Sequence, residues 1–167
     1  VPVLKADLEK PQLRKDALEA LLSLAPDDSE VVGALVEAVF SGDYGLSQVG
    51  HRFVKRCSVS TLNRLAKEAM LRAKSQSAEE RLAAIQVIPV LIEASVEGLV
   101  PTILDGISRL GTREVFSAVR AASMLPRPVP DSVVAGLIRV ARSEDLAAEG
   151  AIAALVSIKQ SADETKA

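Results

Sequence analysis

The sequence predicts an all-α chain in which a two-helix unit recurs. Three observations carry this reading. The apolar content is 49%, yet there is no Trp, one Tyr and three Phe. A chain rich in Ala, Leu, Val and Ile and poor in aromatics suits packed helices better than β-sheets. Apolar residues recur at three- and four-residue spacing along most of the 167 residues, with no convincing strand. Finally, a small residue is followed four positions later by a branched apolar one at Ala17/Leu21, Gly50/Val54, Ala84/Ile88, Ala121/Leu125 and Ala151/Leu155, at intervals of 33, 34, 37 and 30. Intervals of this size with a helix–turn–helix unit are the signature of stacked helical repeats. The small residue lets neighbouring helices approach, and the branched one fills the gap. Gly50/Val54 is the weakest of the five.

In chain order, Val1–Lys10 is a short lead with Val3, Leu4 and Leu8 available for packing. Pro11 opens the first clear helix, to about Leu24. After a turn at Ala25–Ser29, a second helix carries Val32, Leu35, Val36, Val39 and Phe40. Ser41–Gly45 has strong turn chemistry. A helix over Leu46–Arg56 follows, then one capped by Ser58 or Ser60 with Leu62, Leu65, Ala66, Ala69 and Ala73 inward. Ser77, with Glu80 three residues later, fits a capping box for a helix carrying Leu82, Ile85, Ile88, Leu91 and Ile92. A break at Ala94–Gly98 leads to a helix from Leu99 to Leu110, with Pro101 in its first turn and Gly111 as its stop. These two are expected to fold back on each other as a pair. Thr112 caps the next helix, to about Leu125. Pro126, Pro128 and Pro130 force an extended connection. Asp131 starts another helix, and Ser143, Glu144 and Asp145 open the last, to about Lys159. Each small/branched pair is read as marking the first helix of a two-helix unit.

The length fits a single domain over 1–160, with 161–167 as a polar, frayed tail. The longest uncharged run, Leu82–Ile92, has 11 residues, against about 20 needed to span a bilayer. No secretory leader is visible, and the start at Val1 reads as a fragment or a processed form. One cysteine, Cys57, excludes an intrachain disulfide and leaves the compartment open. A soluble intracellular or organellar setting is the expectation.

The pattern resembles HEAT-type repeats. Val133–Ile158 (VVAGLIRVARSEDLAAEGAIAALVSI) has the leucine-bearing helix, short acidic turn and Ala-rich helix of such units. Leu99–Gly111 (LVPTILDGISRLG) is similar to many second helices of HEAT units. Tetratricopeptide repeats fit less well, since their Trp, Tyr and Phe positions are unfilled. Armadillo repeats add a short third helix for which there is little room. The resemblance implies a right-handed α-solenoid of about four and a half helix pairs. It is specific for architecture and not for function.

The inventory removes most enzymes. One His and one Cys cannot make a zinc site of the usual Cys/His kind. The phosphate-loop, calcium-loop and GxSxG patterns are absent. The HEAT-like iron hydroxylases need several His–Glu pairs, which are missing. His51 and Cys57 lie near one helix end, but no orienting acid accompanies them as nucleophilic chemistry would require. The acid pairs Asp27–Asp28, Glu79–Glu80 and Glu144–Asp145 stand at helix starts, where they cap exposed N–H groups. No catalytic, metal or cofactor residue is assigned.

Charge is more informative. The formal net charge is −2, but residues 51–76 carry seven basic residues and one acidic, between flanks of net −5 and −3. The basic residues are Arg52, Lys55, Arg56, Arg64, Lys67, Arg72 and Lys74. On a helical wheel Lys67, Met70 and Lys74 cluster opposite the apolar side, flanked by Arg64 and Leu71. If this helix is the second of its pair, the resemblance puts the strip on the concave face, where it suits an acidic peptide or helix. The alternative is phosphate-backbone binding through 52–74. The acidic flanks and the scarcity of stacking aromatics argue against nucleic acid. In the last helix, apolar residues including Ile152 and Val156 surround nearly the whole wheel, so its outer side is expected to meet a partner or a second copy. The sequence therefore reads as a non-catalytic protein–protein interaction module, an adapter or a structural subunit of a larger assembly.

Overall fold

The computed structural model describes residues 1–164, and side chains for residues 1–160. Ten α-helices and no strand occur among the described residues: α1 (Pro2–Asp7), α2 (Arg14–Leu24), α3 (Ser29–Val39), α4 (Tyr44–Val54), α5 (Val59–Arg72), α6 (Ala78–Glu93), α7 (Val100–Ser108), α8 (Arg113–Ser123), α9 (Asp131–Ala141) and α10 (Ala148–Glu164). α10 carries the backbone helix four residues into the stretch expected as a tail, and residues 165–167 lie outside the described residues.

Local chemistry explains most boundaries. Asp28 caps α3, its carboxylate accepting from the N–H of Glu30 at 3.1 Å and of Val31 at 3.3 Å. Asp43 caps α4 by accepting from Leu46 N–H at 2.9 Å, so that helix starts at Tyr44, inside the expected loop. Ser58, not Ser60, caps α5. Ser77 caps α6 as expected, but its own N–H donates to Ser75 Oγ at 3.1 Å, so Glu80 leaves that half of the box unmade. Thr112 precedes α8 without capping it, because its hydroxyl donates to the Arg109 carbonyl at 2.6 Å. α6 ends in a Schellman turn: Val96 N–H reaches the Leu91 carbonyl, Ser95 N–H reaches the Ile92 carbonyl, and Ser95 sits at φ +61°. The expected lead contains a helix of its own, α1, with Pro2 in its first turn, while residues 8–13 turn before α2 begins at Arg14. The last helix begins at Ala148, later than expected, since Asp145 is committed to the turn: its carboxylate accepts from Ala147 N–H and from Gly111 N–H across the α7–α8 turn.

The small/branched pairs lie on α2, α4, α6, α8 and α10, save that Leu125 falls just past the end of α8. Ala17, Leu21, Val54, Ala84, Ile88, Ala121 and Ala151 are all at most 3% exposed. These five helices form one continuous row, each touching the next even-numbered one. Their pairing is shifted by one from the expectation. The extensive hairpins are α3/α4, α5/α6, α7/α8 and α9/α10, so each marked helix is the second of its pair. α6 and α7 do touch, but each packs more extensively on α8. In the odd-numbered row only α7 and α9 are in comparable contact, and α3, α5 and α7 stand further apart. One core cluster runs from Leu8 to Ala154.

Close backbone approach sets the hairpin geometry. A Cβ on Gly50 would lie 2.9 Å from both the backbone nitrogen and a side-chain methyl of Val39. A Cβ on Gly106 would lie 2.8 Å from the Ala118 Cβ. A buried ion pair locks α6 to α8: Arg81 Nε meets Glu114 Oε1 at 3.1 Å, with the Glu114 side chain 5% exposed. The same guanidinium donates to the carbonyls of Ser75 at 3.0 Å and Gln76 at 2.8 Å, fixing the α5–α6 turn.

Two glycines separate backbone propensity from space. Gly33→Ala, in α3 with nothing within 4 Å of the added Cβ, is expected to stabilise the fold by about 0.5–1 kcal/mol in urea denaturation. Gly50→Ala gains the same propensity but forces α4 off Val39, and is expected to destabilise by about 1–3 kcal/mol. Arg81→Met, which leaves Glu114 buried and unpaired, is expected to cost about 3 kcal/mol in the same assay.

Candidate functional site

The row of second helices presents two grooves that meet at Arg120. One, of about 290 Å³, runs across α4, α6 and α8 between Tyr44, Gln48, His51, Gln86, Pro89 and Ser117. The other, of about 330 Å³, lies between α8 and α10 and is lined by Phe116, Val119, Ala147, Gly150, Ala153 and Ser157. Arg120 borders both. The chain has four aromatic side chains. Phe40 and Phe53 are buried in the core, whereas Tyr44 is 78% exposed and Phe116 46% exposed at these grooves. Helix spacing explains the placement. Phe116 and Arg120 are four residues apart on α8, on the side away from buried Val115, Ala118 and Ala122. Tyr44 is the first residue of α4, held out by the Asp43 cap. Sequence reasoning missed this surface because it brings together residues as far apart in sequence as Tyr44 and Arg120. The available signal was the aromatic census, with two of four aromatics on polar helix faces.

His51 lies at the floor of the first groove. Its Nε2 is buried without a hydrogen-bond partner among the described residues. Burial holds its pKa below the ordinary value, and a hydrogen bond to the Val39 backbone opposes this without reversing it. Cys57 is held elsewhere: its thiol donates to the Phe53 carbonyl at 3.3 Å. Burial, with Asp27 adding to it, pushes that thiol up to about 11, so it is protonated at neutral pH. The two residues are not brought together as a nucleophile and base.

The basic block divides sharply. Arg52 pairs with Glu19 at 3.2 Å, and Lys55 pairs with Glu93. Arg72 pairs with Glu68 at 2.6 Å and lies 4.8 Å from the Phe40 ring centroid, while Arg56 lies 5.5 Å from that of Phe53. Arg64, Lys67 and Lys74 remain exposed with no carboxylate partner among the described residues. Met70, expected in the same strip, is half-buried against the core, and Leu71 takes its place on the surface at 67% exposed. α5 packs on α6 as the first helix of its hairpin, not as the second as expected, and belongs to the wider-spaced row.

On α10, Ala151 and Ala154 are buried, as is Ala147 in the turn before it, while Ile152 and Val156 are 51% and 49% exposed. The last helix thus leaves an apolar strip uncovered. Among the described residues no group of His, Cys, Asp and Glu is placed to hold a metal ion, and no helix is long and apolar enough to cross a membrane. No protein-family model matches the chain, and no curated protein and no solved structure matches it.

His51 is the only histidine, and an imidazole in the unfolded chain titrates at about pH 6.5, so its protonation is linked to folding below neutral pH. A base whose folded pKa is depressed favours the folded state fully above its unfolded value of about 6.5. That stability is lost as pH falls from there through the folded value. The midpoint of thermal unfolding is expected to drop by a few degrees from pH 7.5 to 5.5, and His51→Gln is expected to flatten the slope.

Proposed function

We propose that the chain is a HEAT-like α-solenoid acting as a non-catalytic protein-interaction module, an adapter or a structural subunit that holds a segment of another protein along its row of second helices. The repeated small/branched pairs and the stacking of α2, α4, α6, α8 and α10 support the architecture. The observation that carries the function is the exposure of Tyr44 and Phe116 on grooves that share Arg120. Aromatics and arginine dominate the energetic centres of protein interfaces, where large rigid side chains bury area at low entropic cost. Ser47, Gln48, Gln86 and Ser117 line the same path. They can pair with a peptide backbone without the desolvation cost of charge. The nucleic-acid alternative is weakened by the ion pairs and ring contacts that occupy four of the seven cations in 52–74.

Display selection of peptide ligands, followed by fluorescence anisotropy, tests the reading. Phe116→Ala and Tyr44→Ala are each expected to weaken a selected ligand by about tenfold or more, while Val59→Ser on the opposite row leaves it unchanged. Failure to select any ligand, or ligands indifferent to both aromatic substitutions, would reject the groove as the binding surface.

A further inference from the structure

We infer that the outward face of α5 is a second docking surface, built for an acidic amphipathic helix of a partner protein. Arg64, Lys67 and Leu71 stand at i, i+3 and i+7 on one stripe, and Lys74 continues it just past the helix end. The stripe is about 15 Å long. Every other cation of the block is taken up by a carboxylate or a ring, so the absence of partners here is selective. Like charges spaced this way oppose helix formation slightly, and the chain is rich enough in acids to have neutralised them. An acidic partner supplies the missing charge.

The centre of the stripe specifies the partner further. Leu71 is exposed among the cations, and phosphates offer nothing to cover it. A helix with carboxylates flanking an apolar residue covers Leu71 and pairs the three cations together. No aromatic stands on the stripe for bases to stack on; the exposed Tyr44 and Phe116 belong to the other row. There is also room beside the stripe. α3 and α5 stand apart, leaving a groove of about 490 Å³ between Val32, Ser60 and Arg64, with Asp27 on its far wall. The neighbouring α5–α6 turn is held by Arg81, so the surface is presented on a fixed scaffold.

The test measures anisotropy of a labelled helical peptide with three Glu at i, i+3/i+4 and i+7 around a central Leu, at low and moderate salt. The expected result is saturable binding that weakens with salt. Lys67→Glu with Lys74→Glu is expected to weaken it by about tenfold or more, and Leu71→Ser by about fivefold. Tyr44→Ala should have no effect, which separates this surface from the grooves. All four positions are exposed, and matching circular-dichroism melts check that the variants fold. No binding of the peptide, or binding indifferent to Leu71→Ser, overturns the inference. So does a duplex oligonucleotide or an anionic vesicle bound more tightly than the peptide.

Discussion

The close approach of helices at positions with little or no side chain is the constraint on which the rest of this structure depends. Gly50 on Val39 and Gly106 on Ala118 leave no spare space for a Cβ at two hairpin contacts, and Gly136 on Ile107 leaves little between α9 and α7. Alanines do the same along the even row, where Ala84, Ala121 and Ala151 are fully buried. Small contacts bring backbones together, and Leu21, Val54 and Ile88 fill the volume beside them. With so few aromatics in the core, packing density comes from many short side chains at near-uniform spacing. That leaves Tyr44 and Phe116 available at the surface.

Polar interactions then fix what apolar packing leaves free. Arg81 gathers the α5–α6 turn, α6 and Glu114 into one unit, and Asp145 ties the α9–α10 turn to the α7–α8 turn. Both staples link an element to one about 33 residues away in sequence. The two sides of the molecule diverge chemically. The even row is aromatic, polar and nearly uncharged at its grooves, whereas α5 on the odd row is cationic with an exposed leucine. Electrostatics favours different partners for the two.

The all-α class, the caps of α3 and α6, the proline-rich connection before α9 and the uncovered side of α10 were legible in the residues, because each depends on chemistry within a few positions. The phase of the pairing was not. A small/branched pair marks a helix that packs closely on its neighbours, but the same pattern results whether the tighter neighbour precedes or follows it. Reading it forward made α5 the second helix of its pair, whereas it packs as the first helix of the α5/α6 hairpin. The wheel also misjudged Met70, whose long flexible side chain folds back onto the core while Leu71 stays out. The grooves could not be read at all, since Tyr44, Gln86 and Arg120 meet only through the stacking of three helices. The division of the basic block was equally hidden: Glu19 and Glu93 reach it from distant helices.

Recognition is proposed to run along the row of second helices. Amide chemical-shift mapping of the isotopically labelled chain, titrated with a selected peptide ligand, tests it most directly. The expected shifts form one path over Tyr44, Gln48, Gln86, Phe116 and Arg120 and leave α3 and α9 unmoved. Shifts confined to the odd-numbered helices, or scattered without a continuous path, would contradict it.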